Sequence, residues 1–361
     1  MNKQDLFNFL RREKLLKTVD DNYMCFMNVF QTSLNVSKED VLIVFDKGYK
    51  NKRVPAIIAG CYAKAAEELG LNYKLSMQKP KLISEEADDN VIQDMLSLKD
   101  KSVLAIAISG KIGQMKSIGN SFRRFVKQHK HRFVSTSGLV DMPSSMFSSI
   151  IKSINVDYAL MAKKGSNIKE LLDKAAEIHV MTRKGTDLLY GVEGMKSISN
   201  DGLYTKPGMG GNIPAGEVYV PCNDRNVNGK IVIDGSMKVR DKTILLKKPV
   251  TLFVKDGEIT KIKGNGEGLE IAKTLDWAHK TSKHPWGIKR IGELGIGINP
   301  NAKIVGPTII NEKTLGTAHF AIGSNAWFGG NIYSKIHLDQ VITEPMIRID
   351  GKLLNGVLMK N

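Results

Sequence analysis

The sequence predicts two domains of different class. Residues 1–177 read as an α/β domain with a mainly parallel sheet (Rossmann-like, without a nucleotide motif), and residues 178–361 as a β-rich α+β domain suited to binding metal. Three observations carry this. Residues 41–45 and 103–108 are continuous apolar runs bounded by turn residues, the mark of strands buried on both faces. Helical-period segments alternate with such runs up to about residue 177, the order expected of a doubly wound domain. Beyond that point glycine becomes frequent and hairpin signals replace helical spacing. A chain of 361 residues is also too long for one ordinary core.

The elements follow in order. Leu6, Phe9, Leu10, Leu15, Leu16, Phe26 and Phe30 recur at helical spacing over residues 1–36. After the first apolar run, Pro55 near an early turn and Gly70 at the C-cap frame a helix over 55–69. A second strand over 73–77, a helix over 85–97, the strand at 103–108, a basic helix over 121–130 and a strand at 132–135 come next. Helices are expected at 146–155 and 168–176. In the second half, 178–182, 218–220, 229–235, 250–259 and 346–352 read as strands and hairpins, with turns at Asp256-Gly257 and Asp350-Gly351 and one helix over 267–280.

Composition narrows the function classes. No apolar run approaches the length of a membrane span, and the N-terminus mixes acids and bases, so the expected address is the cytoplasm. Cys25, Cys61 and Cys222 are widely spaced and odd in number, which predicts free thiols. No Gly-x-Gly-x-x-Gly or Walker sequence follows the strands, and Gly-x-Ser-x-Gly is absent. The net charge of +16 concentrates over residues 101–140, which hold eight Lys/Arg, His129 and His131 and no acid. That stretch defines an alternative class, a non-catalytic protein whose basic face meets a polyanion; no nucleic-acid motif accompanies it.

Chemistry concentrates in the last third. Glu217, in Asn212-Ile213-Pro214-Ala215-Gly216-Glu217, and Glu293, in Gly292-Glu293-Leu294-Gly295, are carboxylates set among glycine and apolar residues. His319 lies in the nearly apolar Gly316-Thr317-Ala318-His319-Phe320-Ala321, and His337-Leu338-Asp339 places two ligand types on one face of a strand. A carboxylate buried unpaired is expensive, so each needs a cation, hydrogen bonds or a metal. Several such residues in one domain predict a shared metal cluster. His179, His279 and His284 are competing imidazoles assigned elsewhere, and Asp187 is read as a turn carboxylate.

These motifs, with Arg183-Lys184-Gly185-Thr186-Asp187-Leu188 and Gly295-Ile296-Gly297, resemble metallo-aminopeptidases of the aminopeptidase T and aminopeptidase S group. The resemblance covers residues 178–361 well. It implies a metal-dependent aminopeptidase or related amide hydrolase, typically a homodimer, acting on short peptide or amide substrates. It further implies two divalent ions of the Zn, Co or Mn type, with Glu217, Glu293, His319, His337 and Asp339 as ligands and Glu293 bridging. Two such ions can activate a water and stabilise an oxyanion. Glu312 is the expected general acid/base. The peptidases carry a tyrosine about seven residues after the first metal histidine; here Ser324-Asn325-Ala326-Trp327 stands there, and Asn325 is the expected hydrogen-bond donor. The same motifs also resemble the 2,5-dihydroxypyridine 5,6-dioxygenases, non-haem Fe(II) ring-cleaving enzymes, because two histidines and a carboxylate can form an iron facial triad.

Overall fold

The computed structural model describes residues 2–81, 85–115, 118, 121–240, 242–283 and 285–354. The chain begins with α1 (Lys3–Arg12), α2 (Leu16–Asn28), β1 (Val41–Asp46), α3 (Val54–Glu68), β2 (Tyr73–Gln78) and α4 (Asp89–Leu96). Then come β3 (Val103–Ala107), α5 (Phe122–Gln128), β4 (Arg132–Thr136), α6 (Phe147–Ile154) and α7 (Tyr158–Leu172). The strands β5 (Glu177–Met181), β6 (Asp187–Gly191), β7 (Ile198–Asn200), β8 (Gly210–Asn212), β9 (Glu217–Pro221) and β10 (Val227–Ile233) follow. Next are β11 (Ser236–Lys238), β12 (Thr243–Leu245), β13 (Val250–Lys255), β14 (Glu258–Lys263) and α8 (Gly266–Lys280). The chain closes with β15 (Ile291–Gly297), α9 (Thr308–Asn311), β16 (Thr317–Gly323), β17 (His337–Thr343), β18 (Met346–Ile349) and β19 (Lys352–Leu353).

Two compact units result: Met1–Tyr158 with Gly202–Ala215, and Ala159–Asp201 with Gly216–Asn361. The first carries a five-stranded sheet, ordered β2-β1-β3-β4-β8, with every pairing parallel. β1 is buried along its whole length because helices cover both faces. Leu42, Val44, Leu104 and Ile106 pack with Val91 and Met95 of α4 and Phe125 of α5. On α3, twelve residues are buried, from Val54 to Ala66, and the helix lies against β1 and β3. Burying Val54, Ile57 and Ile58 contributes roughly 1.5–3 kcal/mol each, and the alanines let the helix approach the sheet closely. At the end of β1, Asp46 accepts hydrogen bonds from Ser109 N at 2.7 Å, Ser109 Oγ at 2.6 Å and Gly48 N at 2.7 Å, tying the tips of β1 and β3 together.

The second unit is β-rich, with two seven-stranded sheets. One runs β14-β13-β10-β6-β5-β18-β19 and the other β12-β11-β17-β16-β15-β9-β7. Their strands pair antiparallel. The sheets pack face to face: Tyr190 of β6 meets Phe320 of β16, ring centroids 6.3 Å apart, and its hydroxyl donates to Val220 O across the sandwich at 3.1 Å. The turns at Asp256-Gly257 and Asp350-Gly351 have positive φ at both positions, as type I′ turns require.

Two helices differ from expectation. The helix expected at 85–97 starts later, as α4. The one expected at 168–176 runs from Tyr158 to Leu172, straight through Lys163-Lys164-Gly165-Ser166-Asn167, which has the composition of a turn. Gly165 is needed there for proximity: a Cβ would stand 2.4 Å from Ser199 Oγ on β7. Among the described residues no helix is long and apolar enough to cross a membrane. The basic stretch 101–140 is not one solvated face, since His131 is fully buried and Arg132 is 5% exposed, bonded to Leu34 O and Glu39; residues 116, 117, 119 and 120 lie outside the described set.

Candidate metal centre

The site is a product of antiparallel register. β17, β16, β15 and β9 are neighbours in one sheet, and residues opposite one another share a face. Gly295 lies opposite His319, Glu293 opposite Ala321, Ala321 opposite Asp339, Gly323 opposite His337 and Gly297 opposite Glu217. With side chains alternating, Glu217, Glu293, His319, His337 and Asp339 all emerge on one face. The other face carries Leu294, Ile296, Phe320, Ile322 and Leu338 into the sandwich core. The glycines are spatial necessities: a Cβ on Gly295 would stand 2.1 Å from Cε1 and Nε2 of His319. The His319 ring lies over Gly295 of β15, where any side chain would collide with it.

Ligand atoms of Glu293, His337 and Asp339 all lie within 4.8 Å of one another. His337 Nε2 is 3.2 Å from Asp339 Oδ1 and 3.6 Å from Glu293 Oε2, and His319 Nε2 is 3.1 Å from Glu293 Oε1 and 3.6 Å from Glu217 Oε2. His337 Nδ1 sits 2.7 Å from the carbonyl oxygen of Ser324. A carbonyl only accepts, so Nδ1 carries a proton, and Nε2 is the nitrogen turned toward the two carboxylates, free to give up its own proton to a metal ion. Asp339 Oδ1 and His319 Nδ1 are buried without a hydrogen-bond partner among the described residues. Two carboxylates converging on one imidazole nitrogen are an arrangement that either a proton or a metal cation resolves. The donors are nitrogen and oxygen without thiolate, a set that suits a first-row divalent ion. Cys222, in contrast, lies against the Ile291 carbonyl at 2.9 Å.

Electrostatics agree with the geometry. Burial disfavours charge on His319, yet its hydrogen bond to Glu293 and the charge of Glu217 raise it to about 9. His337 is likewise opposed by burial and raised to about 10 by Asp339 and Glu293. Burial would raise Asp339, but His337 outweighs it and the carboxyl is driven well below its usual range. The field that draws protons onto these imidazoles also draws a divalent ion, which would displace them.

Glu217 and Glu312 are placed differently. Glu217 Oε1 and Glu312 Oε1 are each 2.5 Å from the Nζ of Lys313, a wholly buried lysine. Asn200 of β7, paired with Glu217 across the strands, donates from Nδ2 to the same Oε1 at 3.1 Å. Glu312 is pushed by burial up to about 8, against the pull of Lys313 and with Asp339 and Glu217 adding to the rise. Asn325 is occupied by the main chain: Nδ2 donates to Gly292 O at 2.9 Å and Oδ1 accepts from Ile332 N at 2.8 Å. It clamps the loop after β16 to β15. Lys313 and Asn200 were not anticipated from sequence.

Beside the cluster stands an aromatic wall. Trp327 is 6.0 Å and Phe328 6.3 Å from the His337 ring, centroid to centroid, and Tyr219 packs on Phe328 at 5.3 Å. Trp327 is 50% exposed, and His337 is the most exposed of the five clustered residues. Of the competing residues, His179 pairs with Asp187 at 2.7 Å, His279 lies in the last turn of α8, and His284 lies outside the described residues.

Comparison with known proteins decides between the two resemblances. A family model described as NicX, 2,5-dihydroxypyridine 5,6-dioxygenase, matches residues 159–359, more than half of the chain and all five clustered residues. The chain belongs to this dioxygenase family. A curated 2,5-dihydroxypyridine 5,6-dioxygenase of Pseudomonas putida (strain KT2440) is 22% identical over 191 residues, 50% of this chain and 53% of that protein. The chain thus matches about half the length of that relative. Among solved structures, a 2,5-dihydroxypyridine dioxygenase from Pseudomonas putida KT2440 superposes with a TM-score of 0.72 at 15% identity, covering 92% of this chain and 94% of its own. Wild-type AmpT from Thermus thermophilus gives a TM-score of 0.62 at 14% identity, covering 92% and 98%. At these identities both superpositions report a shared fold.

The aminopeptidase expectation is therefore corrected. The resemblance to the aminopeptidase T group reflected the shared fold, while family membership lies with the dioxygenases. A hydrolase or protease assignment does not stand, and the two-metal hydrolytic site finds no support. A cluster of metal-ligand side chains is present.

Proposed function

We propose that this chain opens the ring of a dihydroxylated N-heteroaromatic compound with dioxygen, using one Fe(II) held by Glu293, His337 and Asp339, with His319 beside them. The observation that carries this is the dioxygenase-family match over the segment that contains every one of these residues. The nitrogen and oxygen donors of Glu293, His337 and Asp339 support a first-row divalent ion, and the dioxygenase-family match points to iron among these. When bound, the iron would supply the redox chemistry that lets dioxygen react with an electron-rich ring. The protein's own residues do the rest. Ser324 fixes the His337 tautomer through its carbonyl. Glu293 and Asp339 provide compensating charge. Trp327 and Phe328 offer aromatic faces against which a planar ring can stack next to His337. Glu312, pushed up by burial and held by Lys313, stands where its carboxyl can exchange a proton near Asp339.

The test is direct. The chain, loaded anaerobically with Fe(II), is mixed with 2,5-dihydroxypyridine and labelled dioxygen. Uptake of one O2 per ring, with both labelled atoms in an opened product, is the expected result. Iron-loaded, folded protein that consumes no oxygen with any dihydroxylated pyridine would overturn the proposal.

A further inference from the structure

We infer that Lys313 is a built-in second cation: its ammonium occupies the place between Glu217 and Glu312 that a second metal ion would need, and so limits the site to one ion. This rests on the proposal above only in taking Glu293, His337 and Asp339 to hold a metal. The geometry starts from the strands. Glu217 stands on the same sheet face as Glu293 and His319, its Oε2 3.6 Å from His319 Nε2, so by position it could ligate an ion. Its other oxygen is spent. Oε1 takes hydrogen bonds from Lys313 Nζ at 2.5 Å and Asn200 Nδ2 at 3.1 Å. The same ammonium bonds Glu312 Oε1 at 2.5 Å.

Lys313 is held there from both ends. Its side chain is wholly buried, and its carbonyl accepts from Asn299 N at 2.8 Å, pinning the backbone just past α9. Pairing fixes its charge in place, because an ammonium between two carboxylates is solvated by them as water would solvate it. A divalent ion placed to bind both Glu217 and Glu312 would have to share that space with a cation. The two halves of the site therefore divide their carboxylates: Glu293 and Asp339 face an open position lined by imidazole nitrogen, and Glu217 and Glu312 face a lysine.

The test counts ions without oxygen or ring substrate. Chelator-treated full-length protein is titrated calorimetrically with Mn(II), and again with Zn(II), followed by metal analysis after desalting. Wild type is expected to take one equivalent per chain and Lys313→Met to take two. Circular dichroism establishes that the variant is folded; if it is not, Lys313→Gln, which keeps a hydrogen-bond donor between the two acids but removes the charge, is titrated in its place and is expected to take two. Wild type binding two equivalents, or a folded variant still binding one, overturns the role of Lys313. Wild type binding no ion sinks the metal site itself. A failed oxygen-uptake assay leaves the count, and so this inference, standing on its own result.

Discussion

His131 in the first unit and His319 in the second are both almost wholly buried, yet their surroundings push them in opposite directions. Burial, joined by the neighbouring His129, drives His131 down to about 4; Asp100 opposes from the far side of His129 and does not prevail. Both of its ring nitrogens lack partners among the described residues, and its ring stacks on His129 at 5.6 Å and tilts against Phe125 at 5.3 Å. His319 feels the same desolvation, but Glu293 and Glu217 reverse its effect and lift it to about 9. The difference shows that burial alone makes a histidine part of the core. It becomes part of a reactive site when carboxylates are supplied at register positions that point the same way.

That contrast can be broken at several points. The largest effect is expected from His337→Ala, which removes the nitrogen facing Asp339 and Glu293. Affinity for a divalent ion should fall by more than about 100-fold, read by calorimetric titration, with the fold retained. Unchanged affinity would mean that the cluster does not bind metal through His337. Next is Gly295→Ala, which puts a methyl into the His319 ring. A loss of about 1–3 kcal/mol in denaturant unfolding is expected, together with weakened metal binding, as the imidazole is forced off its place. Asn325→Ala leaves Gly292 O and Ile332 N without their partner and should cost about 1–3 kcal/mol. If Asn325 only clamps a loop, metal stoichiometry stays the same.

The smallest effect concerns His131 and depends on pH. Its folded value lies below the unfolded value of about 6.5, so between 6.5 and about 4 the unfolded chain holds a proton that the folded chain does not. Its contribution therefore makes stability fall as pH drops through that window, by at most about 1.4 kcal/mol per pH unit. His131→Gln should flatten this slope when unfolding is compared at pH 7 and pH 5. A wild-type slope that survives the substitution would erase the contrast with His319.

The parts that were legible in sequence share a physical basis. Apolar runs such as 41–45 and 103–108 announce strands covered on both faces because no polar residue interrupts them. Glu293 and His319 stood out because a ligand-type side chain among glycine and aliphatic residues is costly unless something answers it. Lys313 did not stand out. Asn311-Glu312-Lys313-Thr314 has the composition of a solvated loop, and nothing local states that the lysine is wholly buried. Its burial follows from a contact with Glu217, ninety-six positions away. Gly165 misled for a related reason: a glycine chosen for close approach of β7 looks the same in sequence as one chosen for a turn. The reaction was the hardest to read, because the two candidate families share this fold and the acids and histidines of one sheet face serve either chemistry.

Trp327 gives the site an optical voice. The chain has three tryptophans; Trp277 is covered by Arg240 at 3.9 Å and Lys335 at 4.2 Å, and Trp286 by Arg290 at 4.4 Å. Trp327 instead stands against the ring of His337. In a Trp277→Phe and Trp286→Phe background, emission from this single indole should dim as a paramagnetic ion such as Co(II) is added and recover with chelator. Occupancy of the centre could then be followed in real time by light alone.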